Sequence, residues 1–149
     1  MKHYEDKGCN VDLLIWHKTN PIPTCNNKYL SDIEYCVFAR EPSCPLKGTY
    51  ETKSKVYTSG ANVEDKKQYN HPCCKPIEML EHFIINSSNE NDIVFDTFMG
   101  SGSTMIAAKR QNRKYIGFEI DEKWFKVAQD RLQGINQKGE LNLFDIDYE

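Results

Sequence analysis

Apolar positions along the chain fall into short runs divided by polar, turn-rich stretches, and the repeat of those runs changes near residue 70. Residues 11–16 (VDLLIW) form a brief apolar run that predicts a buried strand. The prolines at Pro21 and Pro23 end it, since each fixes its own φ and removes a backbone donor. Residues 33–40 (IEYCVFAR), rich in β-branched and aromatic side chains, predict a second strand. From Glu41 to Asn70 the chain is polar; within it residues 49–58 (TYETKSKVYT) roughly alternate and predict one arm of a hairpin.

Beyond Asn70 the pattern becomes regular. Pro76 suits a helix start, and Ile77, Leu80, Phe83 and Ile84 then share one face. Residues 86–91 (NSSNEN) predict a loop and residues 93–96 an apolar strand. Residues 103–110 predict a helix and residues 115–120 another strand. Asp121 is a suitable N-cap, Trp124, Phe125, Ala128 and Leu132 make an apolar stripe, and Gly134 can close that helix. Strand, helix, strand, helix in this order predicts an α/β unit with parallel strands.

Bulk properties narrow the picture further. The chain has 149 residues, a length that suits one domain, and 19 basic residues stand against 22 acidic ones. Overall charge therefore does not advertise a nucleic-acid partner, and any basic patch is local. No apolar run reaches the roughly 20 residues that span a bilayer. The polar N-terminus does not resemble a signal peptide, so a cytoplasmic protein is expected. The cysteines (Cys9, Cys25, Cys36, Cys44, Cys73, Cys74) include no C-x-x-C pair, so thiols in a reducing compartment are expected and no metal site.

The chemistry concentrates between Asp96 and Glu119. In Gly100-Ser101-Gly102 the glycines let backbone approach a ligand closely, and the helix that follows offers its positive end to an anion. Glu119 comes 19 residues after Gly100, where an acid can accept both hydroxyls of a ribose. There is no G-x-x-x-x-G-K-[ST], and Met105 stands where a dinucleotide fingerprint has its third glycine. Asp96, just before the turn, suits an ammonium group and repels a pyrophosphate. Ribose, carboxylate and ammonium together describe S-adenosylmethionine.

With those residues in view, the chain resembles a known family. The segment from Asp96 to Thr104 (DTFMGSGST) looks like the cofactor motif of DNA methyltransferases that modify the exocyclic amine of adenine (N6) or cytosine (N4). His71-Pro72-Cys73-Cys74-Lys75-Pro76 looks like their second cofactor motif, placed shortly before the glycine turn as in the permuted (β-type) members. Residues 15–21 and 29–40 look like the late catalytic-region strands, so the resemblance covers roughly residues 11 to 133. It implies a Rossmann-like, S-adenosylmethionine-dependent α/β fold. Asp96, Phe98, Gly100 and Gly102 would line the methionine end of the cofactor, with Lys75 and Pro76 beside it. Glu119 would hold the ribose, and Ile120 would pack on the adenine.

The resemblance also exposes a gap. The family activates the amine with an Asp/Ser/Asn-Pro-Pro-aromatic loop, whose acceptors take the amine protons and whose ring stacks on the flipped base. No two prolines are adjacent in this chain, so that tetrapeptide is absent and no catalytic residue is assigned. In permuted members the loop precedes the Trp16 region, on a strand beside the one at residues 93–96. The expected fold is therefore incomplete, with both flanks of the sheet present and its central strands missing. A partner chain or self-association would complete it.

The expected organisation is one partial methyltransferase domain over residues 1–149. Residues 11–40 supply late strands, 41–70 a target-recognition loop, and 71–134 the cofactor half. Within or near the loop, Lys18, Lys53 and Lys55 are candidate DNA contacts. Lys47, Lys66 and Lys67 add charge, and Tyr50, Tyr57 and Tyr69 are candidates for stacking on bases. Glu41, Glu51, Glu64 and Asp65 dilute that charge, and a solvated loop face explains the segment equally well. The competing functional readings are a catalytically inert cofactor- or DNA-binding module and a nicotinamide-dependent dehydrogenase.

Overall fold

A run of β-branched and aromatic residues organises each half of the chain around a small sheet. The computed structural model of the protein describes residues 1–21, 23, 28–69 and 73–134. Ile22, Cys25, Asn70, His71, Pro72 and the tail beyond residue 134, on which several expectations fall, lie outside the described residues. The chain divides after Ala61 into two compact units.

The first unit opens with a polar turn of helix, α1 (Lys2–Glu5), followed by β1 (Asn10–Lys18), β2 (Ile33–Arg40) and β3 (Val56–Ser59). The strands form a sheet of order β2-β1-β3. β1 and β2 are antiparallel, with Leu13 opposite Val37 and Ile15 opposite Tyr35. β3 runs parallel to β1, with Ile15 opposite Val56. Trp16 is buried, and its indole N–H donates to Ser59 Oγ at 2.9 Å, which pins β3 to β1. The expected hairpin arm at residues 49–58 is corrected here. Thr49 and Thr52 bond each other in a local turn, and only residues 56–59 are extended, in a parallel pairing. Alternation alone does not tell a strand from a side-chain-locked turn.

The second unit holds α2 (Val63–Gln68), α3 (Ile77–Ser87), β4 (Ile93–Asp96), α4 (Ser103–Arg110), β5 (Lys114–Gly117) and α5 (Glu122–Leu132). β4 and β5 are parallel, with Phe95 opposite Ile116, and α4 is the crossover between them. Successive strand residues face opposite sides. Val94 therefore packs on one side against Ile77 and Ile84 of α3 and Ile106, Ala107 and Ala108 of α4. Ile93, Phe95 and Ile116 lie on the other side and are exposed. Phe118 continues that apolar face, its ring edge-on to Phe95 with centroids 5.8 Å apart.

Several expected boundaries move for physical reasons. α3 runs two residues into the expected loop, to Ser87, and buries Asn86. β5 stops at Gly117, three residues early, because the backbone of Phe118 bonds across the end of β4. α5 has Asp121 as its N-cap, accepting from the amides of Lys123 and Trp124, and Gly134 follows its end with φ +71°. On its stripe Ala128 is fully buried, whereas Phe125 is exposed and the buried place belongs to Arg131. The fold is mixed α/β with partial sheets, an incomplete Rossmann-like arrangement.

Candidate cofactor site

The carboxyl ends of β4 and β5 meet at one place, the end of a parallel sheet where α/β folds bind ligands. Phe118 donates its amide to the Asp96 carbonyl at 2.9 Å, and Met99 donates to the Phe118 carbonyl at 2.9 Å. The turn after β4 is thus tied to the chain leaving β5. Within it the Asp96 carboxylate accepts from the Phe98 amide at 3.0 Å, which folds the loop back over the strand end.

Gly100 and Gly102 adopt φ of +53° and +79°, the left-handed region that costs other L-residues about 1–2 kcal/mol. Gly102 is also crowded: a Cβ there would sit 3.0 Å from that of Ala128. The turn thereby delivers α4 directly from its last glycine. Glu119 braces it from the other strand. Its Oε2 accepts from the Gly100 amide and its Oε1 from the Asp121 amide, each at 2.9 Å. Each carboxylate oxygen has two lone pairs, so both retain a free acceptor direction.

The remaining expected residues lie around this turn. Phe98 is 88% exposed and Ile120 fully exposed, so two apolar side chains stand unshielded beside the loop. Pro76 is buried and is the N-cap of α3. Lys75 is half-buried, and its carbonyl accepts from Asn62 Nδ2 at 3.2 Å. Cys74, next to it, is buried with its Sγ 3.2 Å from Ser101 Oγ, which joins the upstream segment to the glycine turn. Burial pushes the Cys74 thiol up, and the Ser101 hydroxyl and Arg131 offset part of that rise.

Two features of the site were not anticipated. Gly117 faces the two methionines of the turn and α4: a Cβ there would lie 2.4 Å from Met99 Sδ and 3.0 Å from Met105 Sδ. Close approach of helix and strand is secured by a glycine on the strand, which is why Met105 can stand where a dinucleotide fold has its third glycine. The second is Arg131. It is 2% exposed, donates to the Ser101 carbonyl at 3.3 Å and to Ser103 Oγ at 3.0 Å, and pairs with Asp65. The signal that could have found it is spacing, since positions 124, 128 and 131 fall on one face of α5.

Of the candidate DNA contacts, Lys18 lies 2.8 Å from Glu34 Oε1 and above the Trp16 ring, Lys55 pairs with Asp12, and Lys53 is exposed. Tyr69, expected among the stacking residues, is instead 4% exposed and carries the Arg131 guanidinium 4.4 Å over its ring. Its cause is α2: once residues 63–68 coil, Tyr69 closes over the buried arginine. Tyr50 is 93% exposed.

A parallel strand pair with a glycine-rich crossover turn and a braced acid is a Rossmann-like arrangement. Comparison with known proteins narrows it. The family profile described as DNA methylase, covering N6 and N4 methyltransferases, matches residues 2–130. The chain belongs to that family. It is 33% identical over 142 residues to the Type II methyltransferase M2.LlaDCHI of Lactococcus lactis subsp. cremoris, an alignment that takes in 86% of this chain and 53% of that protein. It is 31% identical to M2.DpnII of Streptococcus pneumoniae, over 89% of this chain and 55% of the relative. Among solved structures, M1.HpyAVI in complex with S-adenosylmethionine superposes with a TM-score of 0.70 at 30% identity, over 86% of this chain and 65% of that one. The chain therefore spans about half the length of the curated relatives it matches. No helix among the described residues is long and apolar enough to cross a membrane.

Proposed function

We propose that this chain supplies the cofactor-binding part of a cytoplasmic DNA methyltransferase, which moves a methyl group from S-adenosylmethionine to the exocyclic amine of adenine (N6) or cytosine (N4). The observation that carries the reading is the double acceptance by Glu119, which holds the Gly100 turn against the end of β5 and keeps acceptor capacity for a ribose. The residues fit such a cofactor. The cradle at Gly100 and Gly102 has no Cβ to obstruct it, Glu119 suits two hydroxyls, and exposed Ile120 suits an aromatic face. Asp96 suits an ammonium group, while the start of α4 and Lys75 suit a carboxylate. When bound, the cofactor supplies an electrophilic methyl group.

Residues 71–134 form the cofactor half of a partial methyltransferase domain, residues 11–40 its late strands, and residues 41–70 its target-recognition loop. DNA is the substrate partner, and Lys53, exposed on that segment, is the strongest of its three candidate contacts. The amine-activating loop comes from a further polypeptide segment that pairs along β4. Among the described residues β4 pairs with β5 alone, which leaves its second edge open to a further strand, and the apolar face of Ile93, Phe95, Ile116 and Phe118 beside it is exposed.

The test is methyl transfer from labelled S-adenosylmethionine to unmethylated DNA, with the chain alone and with a polypeptide carrying an Asp-Pro-Pro-Tyr-type loop. Transfer that requires both, and that is lost when Phe95→Asp disrupts the bare face, supports the proposal. Cofactor binding with no transfer in any combination points to an inert binding module.

A further inference from the structure

We propose that Arg131 is a positioning residue of the cofactor site, setting the turn at residues 100–102 in register with Lys75 and Pro76. The inference rests on the cofactor reading above and assigns a role to a residue with no contact to the ligand itself. An arginine with 2% exposure is costly to bury, and a buried ion pair is not in itself a net source of stability. What its donors reach is therefore informative.

One nitrogen of the guanidinium, Nη1, donates to the Ser101 carbonyl at 3.3 Å and to Ser103 Oγ at 3.0 Å, which fixes the middle of the turn and the first residue of α4. The other, Nη2, holds Asp65 of α2. Asp65 Oδ2 in turn accepts from Asn62 Nδ2 at 2.9 Å, and the same amide group donates to the Lys75 carbonyl at 3.2 Å. Cys74 closes the circuit through Ser101 Oγ at 3.2 Å. Both ends of the network lie on the two segments that flank the proposed cofactor, which come 25 residues apart in sequence if counted from Lys75 to Gly100. The Tyr69 ring, 4.4 Å from the guanidinium carbon, keeps the plane of the fork in place. A planar fork is what this task needs: a lysine has the charge but cannot serve the turn and Asp65 in fixed directions at once.

The experiment uses the full chain with Arg131→Lys, and Asp65→Asn as a second variant should the first not fold. Hydrogen exchange without ligand is followed at the amides of residues 100–103, with α3 as the internal reference. The expected result is exchange about tenfold faster at the turn and unchanged in α3, the loss of a charge-assisted hydrogen bond. Affinity is then measured for S-adenosylmethionine and for 5′-methylthioadenosine, which lacks the amino-acid end. The variant is expected to lose about tenfold or more for the former and less than about threefold for the latter, tenfold being 1.4 kcal/mol. Unchanged exchange at the turn, or equal losses for both ligands, overturns the proposal, since a merely structural arginine would weaken the whole site alike. If the wild-type chain binds neither ligand, even with a loop-bearing polypeptide present, while the turn responds to Arg131→Lys, the cofactor reading fails and the positioning of the turn stands.

Discussion

Glu119 and Gly100 are joined by a hydrogen bond of 2.9 Å from the glycine amide to the carboxylate, so the acid that closes β5 also shapes the turn that follows β4. Glu119→Ala removes that acceptor and the one for Asp121. Cofactor affinity is expected to fall by about 1.5–3 kcal/mol, the range for hydrogen bonds to a charged group. Glu119→Gln, which keeps one carbonyl oxygen, is expected to fall between wild type and alanine. Calorimetry with S-adenosylmethionine reads both, and equal affinity across the three proteins would remove Glu119 from the site.

Gly117 makes a prediction about stability alone. A methyl group there would lie 2.4 Å from Met99 Sδ, so Gly117→Ala forces the methionines apart. The expected cost is about 1–3 kcal/mol of overpacking, measured by urea denaturation. Adding Met99→Ala makes room, and the double variant is expected to be less destabilised than the two single changes summed. Additive costs would mean that the two side chains do not share the space.

The Cys74 thiol, raised by burial, is expected to stay protonated and unreactive at neutral pH, whereas Cys73 is exposed. Alkylation followed by mass spectrometry should label Cys73 well before Cys74. Because the folded value lies above the unfolded one, the contribution of this group to stability is complete below about pH 8.5 and is lost as pH rises through the folded value. Cys74→Ser, which preserves a partner for Ser101, should flatten that alkaline decline. Labelling of both cysteines at the same rate would contradict the buried pairing.

The part of the site that was legible in the sequence is the part built from local chemistry. Gly100 and Gly102 announce a turn that only glycine adopts cheaply, Asp121 announces a cap, and residues 93–96 and 103–110 carry the two periods that separate strand from helix. What the sequence concealed depends on partners far along the chain. Arg131 reads as a solvated helical charge until Asp65, 66 residues earlier, is brought to it. α2 has no apolar stripe to reveal it, although Asn62 followed by Asp65 three residues later is a cap signal, and the two do bond. Met105 argued only against a dinucleotide; the compensating Gly117 lies on another element. Phe118, Glu119 and Ile120 read as strand because apolar and polar residues alternate there, yet their backbone serves the turn.

The central claim is that the ends of β4 and β5 hold S-adenosylmethionine, and calorimetric titration of the purified full chain tests it most directly. Asp96→Asn is the control: its amide oxygen can still accept from the Phe98 amide, while the charge offered to an ammonium group is gone. Saturable binding by the wild-type chain, weakened about tenfold or more in Asp96→Asn, is the predicted result, the loss expected for one charge-assisted hydrogen bond. No binding by the folded chain, even with a loop-bearing polypeptide present, or equal binding by both proteins, would contradict it.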